Sequence, residues 1–324
     1  MTVRILQGDC REVLTTLPDE SVHCVVTSPP YWGLRDYGVD GQIGLEDSPI
    51  NYVAELVAVF SEVRRVMRAD GTVWLNLGDS YANTGGADRR ASLKSTIARS
   101  NGKSRRVLHD APSSSFSIPA KAIPTGLKPK DLCGVPWRVA LALQADGWWL
   151  RQDIIWAKPN PMPESVTDRC TKAHEYIFLL AKSERYYFDT EAIQEAATGE
   201  APGNTTHKYV TAYEDGNETL RTKAGLLDIG ARDKRNKRSV WHAATASYSD
   251  AHFATFPADL IEPCILAGCP EGGTVLDPFG GAGTTGLVAD RHQRNAILIE
   301  LNPQYAEMAR KRIFNDAPLF ADVA

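Results

Sequence analysis

A Ser-Pro-Pro-Tyr segment, residues 28–31, has the residue types best suited to chemistry in this chain. Pro29 and Pro30 lack backbone N–H groups, but their carbonyl oxygens can accept hydrogen bonds. The Ser28 hydroxyl can accept another. Such acceptors suit a primary amine, which presents two N–H bonds, and the Tyr31 ring offers a flat face on which a base could stack. The segment therefore predicts a site that holds an amino group, although a rigid turn capped by aromatic residues would have the same sequence.

The glycine-rich stretch from Asp277 to Gly286 is a second candidate site. It lies between a predicted strand and a predicted helix, where glycines let the backbone turn sharply and approach a ligand with free N–H groups. The next predicted strand ends at Glu300, roughly 20 residues after Gly281, and a carboxylate there is the expected partner of ribose hydroxyls. Because Gly281, Gly283 and Gly286 also fit a dinucleotide fingerprint, this turn alone leaves a nicotinamide-dependent enzyme open.

Both stretches follow strands in an alternating pattern of strands and helices. Runs of β-branched and apolar residues predict strands at residues 3–6, 22–26, 72–77, 153–156, 176–180, 274–277 and 296–300. We expect residues 186–188 to form another strand that pairs with 176–180. Helical spacing and capping residues predict helices near residues 10–17, 50–68, 136–146 and 257–268, after the glycine turn, and from 302 onward. The alternation indicates an α/β fold, whose ligand sites lie beyond the carboxyl ends of the strands.

Positive charge is concentrated in two segments, although the whole chain has a formal net charge of −4. Residues 83–130 hold ten Lys/Arg and two Asp/Glu, and residues 221–238 hold seven and two. The rest of the chain holds 19 basic and 36 acidic residues. This distribution is expected if the two segments face the phosphates of a nucleic acid. Two solvated loops without a partner would give the same pattern, so charge alone leaves both interpretations open.

Together, the two candidate motifs resemble those of the DNA amino-methyltransferases, which methylate cytosine N4 or adenine N6. The second motif reads Asp277-Pro278-Phe279-x-Gly281-x-Gly283-Thr284-Thr285. The resemblance extends from Gly8 to about Arg312, and the order of the motifs is similar to the circularly permuted β class. It implies a Rossmann-like α/β methyltransferase fold, with a mostly parallel sheet, one antiparallel strand and helices on both faces.

The resemblance also implies which residues form the site. Ser28, Pro29, Pro30 and Tyr31 would be the catalytic loop. The residues expected to bind S-adenosylmethionine are Asp9, Cys10, Asp277, Phe279, Gly281, Gly283, Thr284, Thr285 and Glu300, with Glu300 on the ribose and Asp9 and Cys10 flanking the adenine ring. His252 is added because residues 252–257 share the His and the final Pro of a family motif near the methionine end. An ordinary loop or core histidine explains His252 equally well.

The choice of base follows from the residue before Pro-Pro. In the family, Ser at this position is associated more with cytosine N4, and Asp or Asn more with adenine N6. We therefore expect a site-specific cytosine-N4 methyltransferase that flips its target out of duplex DNA, with adenine N6 as the alternative. Alternatives of other classes are an NAD-type oxidoreductase, an inactive DNA-binding relative, and a methylase of RNA or protein. Carbon-5 methylation would need a nucleophilic cysteine, and Cys264, in a predicted helix, is interpreted as structural.

The chain is expected to divide into five segments. Residues 1–82 and 131–188 would form the catalytic half of the methyltransferase domain, and residues 246–324 the cofactor-binding half. Residues 83–130 would be a basic flexible insertion, and residues 189–245 the target-recognition region. In that region the residues expected to contact the phosphates of double-stranded DNA are Arg232, Lys234, Arg235, Lys237 and Arg238.

Composition gives three further expectations. The N-terminus lacks the apolar core of a signal peptide, and no apolar run approaches the roughly 18–20 residues of a membrane span. We therefore expect a cytoplasmic protein without a membrane partner. The six cysteines form no C-x-x-C pair, so we expect buried reduced thiols and no metal site. A restriction-modification role would add a cognate restriction endonuclease as a partner.

Overall fold

The computed structural model describes residues 1–34, 36–82, 123, 126–197, 233–245, 256–316 and 322–323. The chain divides into two compact units. The larger unit comprises Met1–Phe188 and Ser239–Ala324, and the smaller comprises Asp189–Arg238. Nearly all of the predicted basic insertion, together with Arg232 and His252, lies outside the described residues.

Strands form the centre of the larger unit. They are β1 (Thr2–Gln7), β2 (Val22–Thr27), β3 (Met67–Leu77), β4 (Trp149–Ala157), β5 (His174–Ala181), β8 (Val240–His242), β9 (Thr274–Asp277), β10 (Asn295–Glu300) and β11 (Asp322–Val323), with β6 (Glu195–Ala196) and β7 (Lys234–Arg235) in the smaller unit. Within the described ranges, the sheet of the larger unit has the order β11-β1-β10-β9-β2-β3-β5-β4-β8. Neighbouring strands are parallel, except that β5 is antiparallel to both β3 and β4. The predicted mostly parallel sheet with one antiparallel strand is confirmed.

Helices cover both faces of this sheet. They are α1 (Cys10–Val13), α2 (Pro49–Val66), α3 (Val135–Ala145), α4 (Ala258–Gly268), α5 (Thr284–Arg291) and α6 (Pro303–Asp316). Successive side chains of a strand point to opposite faces. Val25 and Val73 belong to the same core cluster as α2 and α3. A Cβ on Gly268 of α4 would lie 2.6 Å from the Trp74 ring nitrogen and 2.8 Å from the Cys24 sulfur. Because Cys24 and Trp74 adjoin Val25 and Val73 along their strands, α4 packs on the opposite face from α2.

Helix α2 shows how the sequence specifies one of these layers. Ser48 caps the helix by accepting a hydrogen bond from the backbone N–H of Asn51, and Pro49 occupies the first turn, where a missing N–H costs nothing. Its buried residues are Pro49, Tyr52, Leu56, Val59, Phe60, Val63 and Val66, which recur at helical spacing. The helix ends where Met67 begins β3. Residues 49–66 thus match the predicted helix closely.

The strand order fixes where ligands can bind. From β2 the chain passes through α2 to β3 on one side, and from β9 it passes through α5 to β10 on the other. The adjacent strands β2 and β9 therefore mark the point at which the direction of winding reverses. Doubly wound sheets bind ligands beyond the carboxyl ends of the strands at such a point. Ser28 follows β2 there, and Pro278 follows β9.

One predicted strand is wrong. Residues 186–188 do not form a strand beside β5, because β3 and β4 already occupy both edges of β5. Instead, the Tyr187 N–H donates to the carbonyl of Asp70, at 2.8 Å.

The described part of the smaller unit contains a turn of 3-10 helix at Glu191–Ile193 and the antiparallel pair β6 and β7.

Candidate active site

A cleft with a volume of about 1220 Å³ opens along the carboxyl edge of the parallel strands. Ser28–Tyr31 line it together with the start of the glycine turn, Asp277–Gly280, and with Glu300. A typical small-molecule site occupies about 300–1,000 Å³. Two motifs about 250 residues apart in the sequence therefore share one cleft, which is large enough for a small-molecule ligand.

Asp277 joins the end of β2, just before the loop Ser28–Tyr31, to the glycine turn. Its carboxylate accepts hydrogen bonds from the hydroxyls of Thr27 (2.6 Å) and Thr285 (2.7 Å) and from the backbone N–H of Phe279 (3.0 Å). The side chain is buried, and burial raises the pKa of the Asp277 carboxyl to about 6 against the opposing effect of these three donors. The carboxylate is thus engaged within the protein, where it fixes the end of β2 against the turn after β9.

The loop Ser28–Tyr31 presents a limited set of acceptors. The Tyr52 hydroxyl donates to the Pro30 carbonyl at 2.9 Å, so this oxygen already has a partner. No described residue donates a hydrogen bond to the Pro29 carbonyl, and Pro29 lines the cleft. The Ser28 hydroxyl donates its proton to the Tyr31 oxygen at 3.3 Å, which leaves the lone pairs of Ser28 as acceptors. Ser28 and Pro29 are therefore the acceptors that the loop offers to an amine.

Tyr31 is held rigidly in the cleft. A Cβ on Gly78, the residue after β3, would lie 2.5 Å from the Tyr31 ring. Only glycine therefore lets the backbone at this position approach the ring so closely. The Tyr31 hydroxyl donates to Glu175 Oε2 at 2.7 Å and lies 3.1 Å from Asn76 Oδ1. Burial, together with the nearby Glu175 charge, raises the pKa of the Tyr31 hydroxyl well above its usual value. Tyr31 is thus a neutral hydrogen-bond donor.

Sequence reasoning missed Glu175 and its partner Lys158. Lys158 follows β4 and pairs with Glu175 Oε1, and its ammonium group lies 4.2 Å from the centre of the Trp156 ring. Both side chains are more than four-fifths buried. Because β5 is antiparallel, its first residues reach the same edge as the last residues of β4. The one signal available in the sequence was that a polar pair, His174 and Glu175, precedes an apolar strand.

On the other side of the cleft, Glu300 ends β10 beside the glycine turn. Its Oε2 accepts from the Gly281 N–H at 2.7 Å, and its Oε1 accepts from the Asn302 N–H at 2.8 Å. Burial raises the pKa of the Glu300 carboxyl. Gly281 and Gly283 have left-handed φ values of 51° and 77°, which glycine adopts without strain. Oxygen lone pairs of a fixed carboxylate thus remain at the cleft wall, as ribose binding requires.

Most of the other residues predicted to bind the cofactor line the cleft, and one is buried behind it. Asp9 and Cys10 line the cleft after β1. The Arg11 guanidinium, bonded to Asp9, lowers the pKa of the Asp9 carboxyl, and burial raises the pKa of the Cys10 thiol to about 12. Phe279 and Thr284 also line the cleft, and Thr285 is buried behind it against Asp277.

The predicted DNA-binding residues that the structure describes lie in the smaller unit. Glu195 accepts hydrogen bonds from Arg235 (2.9 Å) and Arg238 (2.7 Å), so one carboxylate partly neutralises two arginines. Lys234 is exposed, and Lys237 is partly exposed. Arg232, the fifth predicted contact, and His252, the predicted residue near the methionine end, are outside the described residues.

The family model for DNA methylases matches residues 22–311 of the chain. The chain belongs to the DNA methylase family. The type II methyltransferase M.Cfr9I of Citrobacter freundii is 46% identical over 309 residues, which cover 95% of this chain and 87% of that protein. The type II methyltransferase M.SmaI of Serratia marcescens is 46% identical over 310 residues, which cover 96% and 90% of the two chains.

Two solved structures show the same fold. The PvuII DNA methyltransferase, described as cytosine-N4-specific, is 20% identical with a TM-score of 0.59, over 95% of this chain and 86% of that one. A protein of Thermus thermophilus, assigned provisionally as a DNA modification methylase and complexed with S-adenosyl-L-methionine, is 24% identical with a TM-score of 0.57, over 100% of both chains.

Family membership confirms the predicted methyltransferase class and the Rossmann-like fold, and it rules against the NAD-type oxidoreductase. This DNA methylase acts on an exocyclic amine, either cytosine N4 or adenine N6. The permuted motif order, the five-segment division and the role of each site residue stay predictions. In the described ranges, no helix has both the length and the apolar composition needed to cross a membrane.

Proposed function

We propose that this DNA methylase transfers a methyl group from S-adenosylmethionine to N4 of a cytosine flipped out of duplex DNA. One observation carries the proposal: the acceptors of Ser28 and Pro29 and the carboxylate of Glu300 line one cleft at the β2–β9 switch point. Relatives that are 46% identical along nearly the whole chain are named type II methyltransferases, which supports a sequence-specific modification enzyme with a cognate restriction endonuclease.

The cofactor side of the cleft fits a nucleoside. Glu300 would hold the ribose hydroxyls, the left-handed turn at Gly281 and Gly283 lets the backbone come close, and Asp9 and Cys10 would flank the adenine ring. Phe279 is proposed to contact the cofactor, and His252, which lies outside the described residues, to line its methionine end. When bound, S-adenosylmethionine supplies a methyl group activated by a positively charged sulfur.

The loop residues would make the amine nucleophilic. An amino group conjugated to a base is a poor nucleophile, because its lone pair is delocalised into the ring. Hydrogen bonds from the two N–H bonds to Ser28 Oγ and to the Pro29 carbonyl favour a pyramidal nitrogen and stabilise the positive charge that develops on it. Tyr31, with Gly78 against its ring, would position the flipped base by stacking.

Cytosine N4 is proposed over adenine N6 because of Ser28. The decisive measurement is mass spectrometry of nucleosides from DNA that the purified protein has methylated with labelled S-adenosylmethionine. We expect labelled N4-methyldeoxycytidine and no labelled N6-methyldeoxyadenosine. Labelled N6-methyldeoxyadenosine would establish the alternative, and transfer to RNA or protein in preference to DNA would contradict the proposed substrate.

The smaller unit is proposed to recognise the target, with Lys234 and Lys237 contacting phosphates. Replacing both with glutamine is expected to reduce the slope of log K against log[salt] by up to about 0.9 per lost contact. Lys311→Gln, on α6 beside Glu307, is the matched control in the larger unit. Equal slopes for the double variant and the control would show that these lysines do not contact phosphates.

A further inference from the structure

A chain of hydrogen bonds runs from the proposed amine acceptor to a carboxylate. Ser28 donates to the Tyr31 oxygen at 3.3 Å, and Tyr31 donates to Glu175 Oε2 at 2.7 Å. Both bonds run in the same direction, from Ser28 toward Glu175, along the wall of the cleft. Lys158 holds the other oxygen of Glu175. The chain therefore ends at a carboxylate that has a cation beside it.

Methylation of an amine releases a proton that this arrangement can receive. When the nitrogen forms its new bond to carbon, it becomes positively charged and must lose one of its hydrogens. A serine hydroxyl cannot hold an extra proton, so a proton that reaches Ser28 must travel further. The Glu175 carboxylate, at the end of these hydrogen bonds, is a group of the kind that acts as a general base in enzymes.

We propose that Glu175 is the proton acceptor of the reaction, reached from the amine through Ser28 and Tyr31; this rests on the proposed function. The amine N–H proton passes to Ser28 Oγ, the Ser28 proton to the Tyr31 oxygen, and the Tyr31 proton to Glu175 Oε2. Three O–H bonds form, and one N–H and two O–H bonds break. The amine becomes neutral and Glu175 becomes a carboxylic acid, so charge and atoms balance.

The residues around these hydrogen bonds favour proton transfer toward Glu175. Lys158 binds Oε1 of Glu175, and the Trp156 ring beneath the ammonium keeps Lys158 in place, so that Oε2 faces Tyr31. Asn76 Nδ2 donates to the Tyr176 carbonyl at 3.1 Å, which turns its Oδ1 toward Tyr31. Because Tyr31 has a single proton, the shorter bond to the charged Glu175 takes it. A tyrosinate is disfavoured because burial raises the pKa of Tyr31, so the transfers occur together and leave Tyr31 neutral.

A purely structural role for Glu175 predicts different results. If Glu175 only orients the Tyr31 ring, its loss should weaken stacking of the flipped base. If it accepts the proton, base flipping should be intact while the chemical step is slow. Fluorescence of 2-aminopurine at the target position reports flipping, and single-turnover transfer of a tritiated methyl group reports the chemical step.

The experiment compares Glu175→Gln, Tyr31→Phe and the double variant with wild type. Glutamine preserves size and hydrogen bonding but cannot take the proton. We expect each single variant to slow single-turnover transfer on the order of 100-fold, with unchanged 2-aminopurine signal, unfolding temperature and affinity for S-adenosylmethionine. The double variant should be no slower than either single variant, because both interrupt one path. Glu62→Gln, which breaks a half-buried pair with Arg65 on α2, away from the cleft, is the control.

Chemical rescue supplies a second test. In Glu175→Ala, added formate should restore part of the rate, whereas chloride at equal ionic strength should not. The proposal is overturned by a wild-type rate in Glu175→Gln, by multiplicative effects in the double variant, by a parallel loss of flipping, or by absence of formate rescue. A wild-type protein that transfers no methyl group to DNA in the same assay would instead refute the proposed function itself.

Discussion

Ser28→Ala is expected to slow methyl transfer on the order of 100-fold while leaving the affinity for S-adenosylmethionine unchanged. The Ser28 hydroxyl is one of two acceptors that the loop offers to the amine, because Tyr52 occupies the Pro30 carbonyl. Alanine removes that acceptor and interrupts the path toward Glu175. Glu300 and the glycine turn, which lie across the cleft, keep their own hydrogen bonds. The effect should therefore fall on the chemical step rather than on cofactor binding.

Single-turnover transfer and calorimetric titration of S-adenosylmethionine separate these two quantities. Ser183→Ala is a matched control, because this hydroxyl bonds the Ala69 carbonyl away from the cleft. A Ser28→Ala protein with wild-type turnover would remove Ser28 from the mechanism. A variant that has lost cofactor affinity as well would show that Ser28 acts on the shape of the whole cleft rather than on the amine.

The sequence alone predicted those parts of the candidate site that come immediately after a strand in the chain. The Ser-Pro-Pro-Tyr loop comes after β2 and the glycine turn after β9, and both strands are short apolar runs that need no distant information to recognise. Their meeting in one cleft required only the rule that ligands bind beyond the carboxyl ends of parallel strands.

The parts that depend on long-range strand pairing could not be read in this way. Glu175 reaches Tyr31 because β5 runs antiparallel between β3 and β4, an arrangement that no local pattern specifies. The same pairing explains why the strand predicted at residues 186–188 does not form: its expected partner, β5, already has β3 and β4 on its two edges. Local pattern predicts that a strand exists, whereas its neighbours and its direction depend on the whole sheet.

Counting charges also overestimated how much positive charge residues 221–238 can offer to DNA. Arg235 and Arg238 lie in a run of positive residues, but both pair with Glu195, about 40 residues earlier in the sequence. Glu195 therefore neutralises part of the positive charge of these two arginines before DNA binds. Lys234, which is exposed, is therefore a better test of phosphate contact than either arginine, although all five residues looked equivalent in the sequence.

The second large effect is expected at Asp277, where alanine and asparagine should differ sharply. Asp277→Ala leaves the hydroxyls of Thr27 and Thr285 and the N–H of Phe279 without their buried acceptor, which should cost roughly 3 kcal/mol or more of unfolding free energy. Asparagine can keep these bonds. Its Oδ1 accepts from Thr27 and Phe279, and its Nδ2 donates to Thr285, whose own proton then turns to the Val26 carbonyl, 3.3 Å away.

The pH dependence of stability tests this explanation. The pKa of the Asp277 carboxyl is about 6 in the folded protein, compared with an ordinary value of 3.8, so between these values the folded state binds more protons than the unfolded state. Stability conferred by Asp277 should therefore fall as pH rises from about 4 to about 6, by about 3 kcal/mol, and then stay constant. Asp277→Asn cannot titrate and should lack this decrease.

Urea unfolding of wild type and Asp277→Asn at pH 4, 5, 6 and 7 measures the difference directly. The free energy of the variant relative to wild type should rise through this range. Glu300 adds to the difference in the same direction, because the nearby Asp277 charge helps burial to raise the pKa of Glu300 and asparagine lacks that charge. Parallel pH profiles for the two proteins would mean that burial does not raise the pKa of the Asp277 carboxyl.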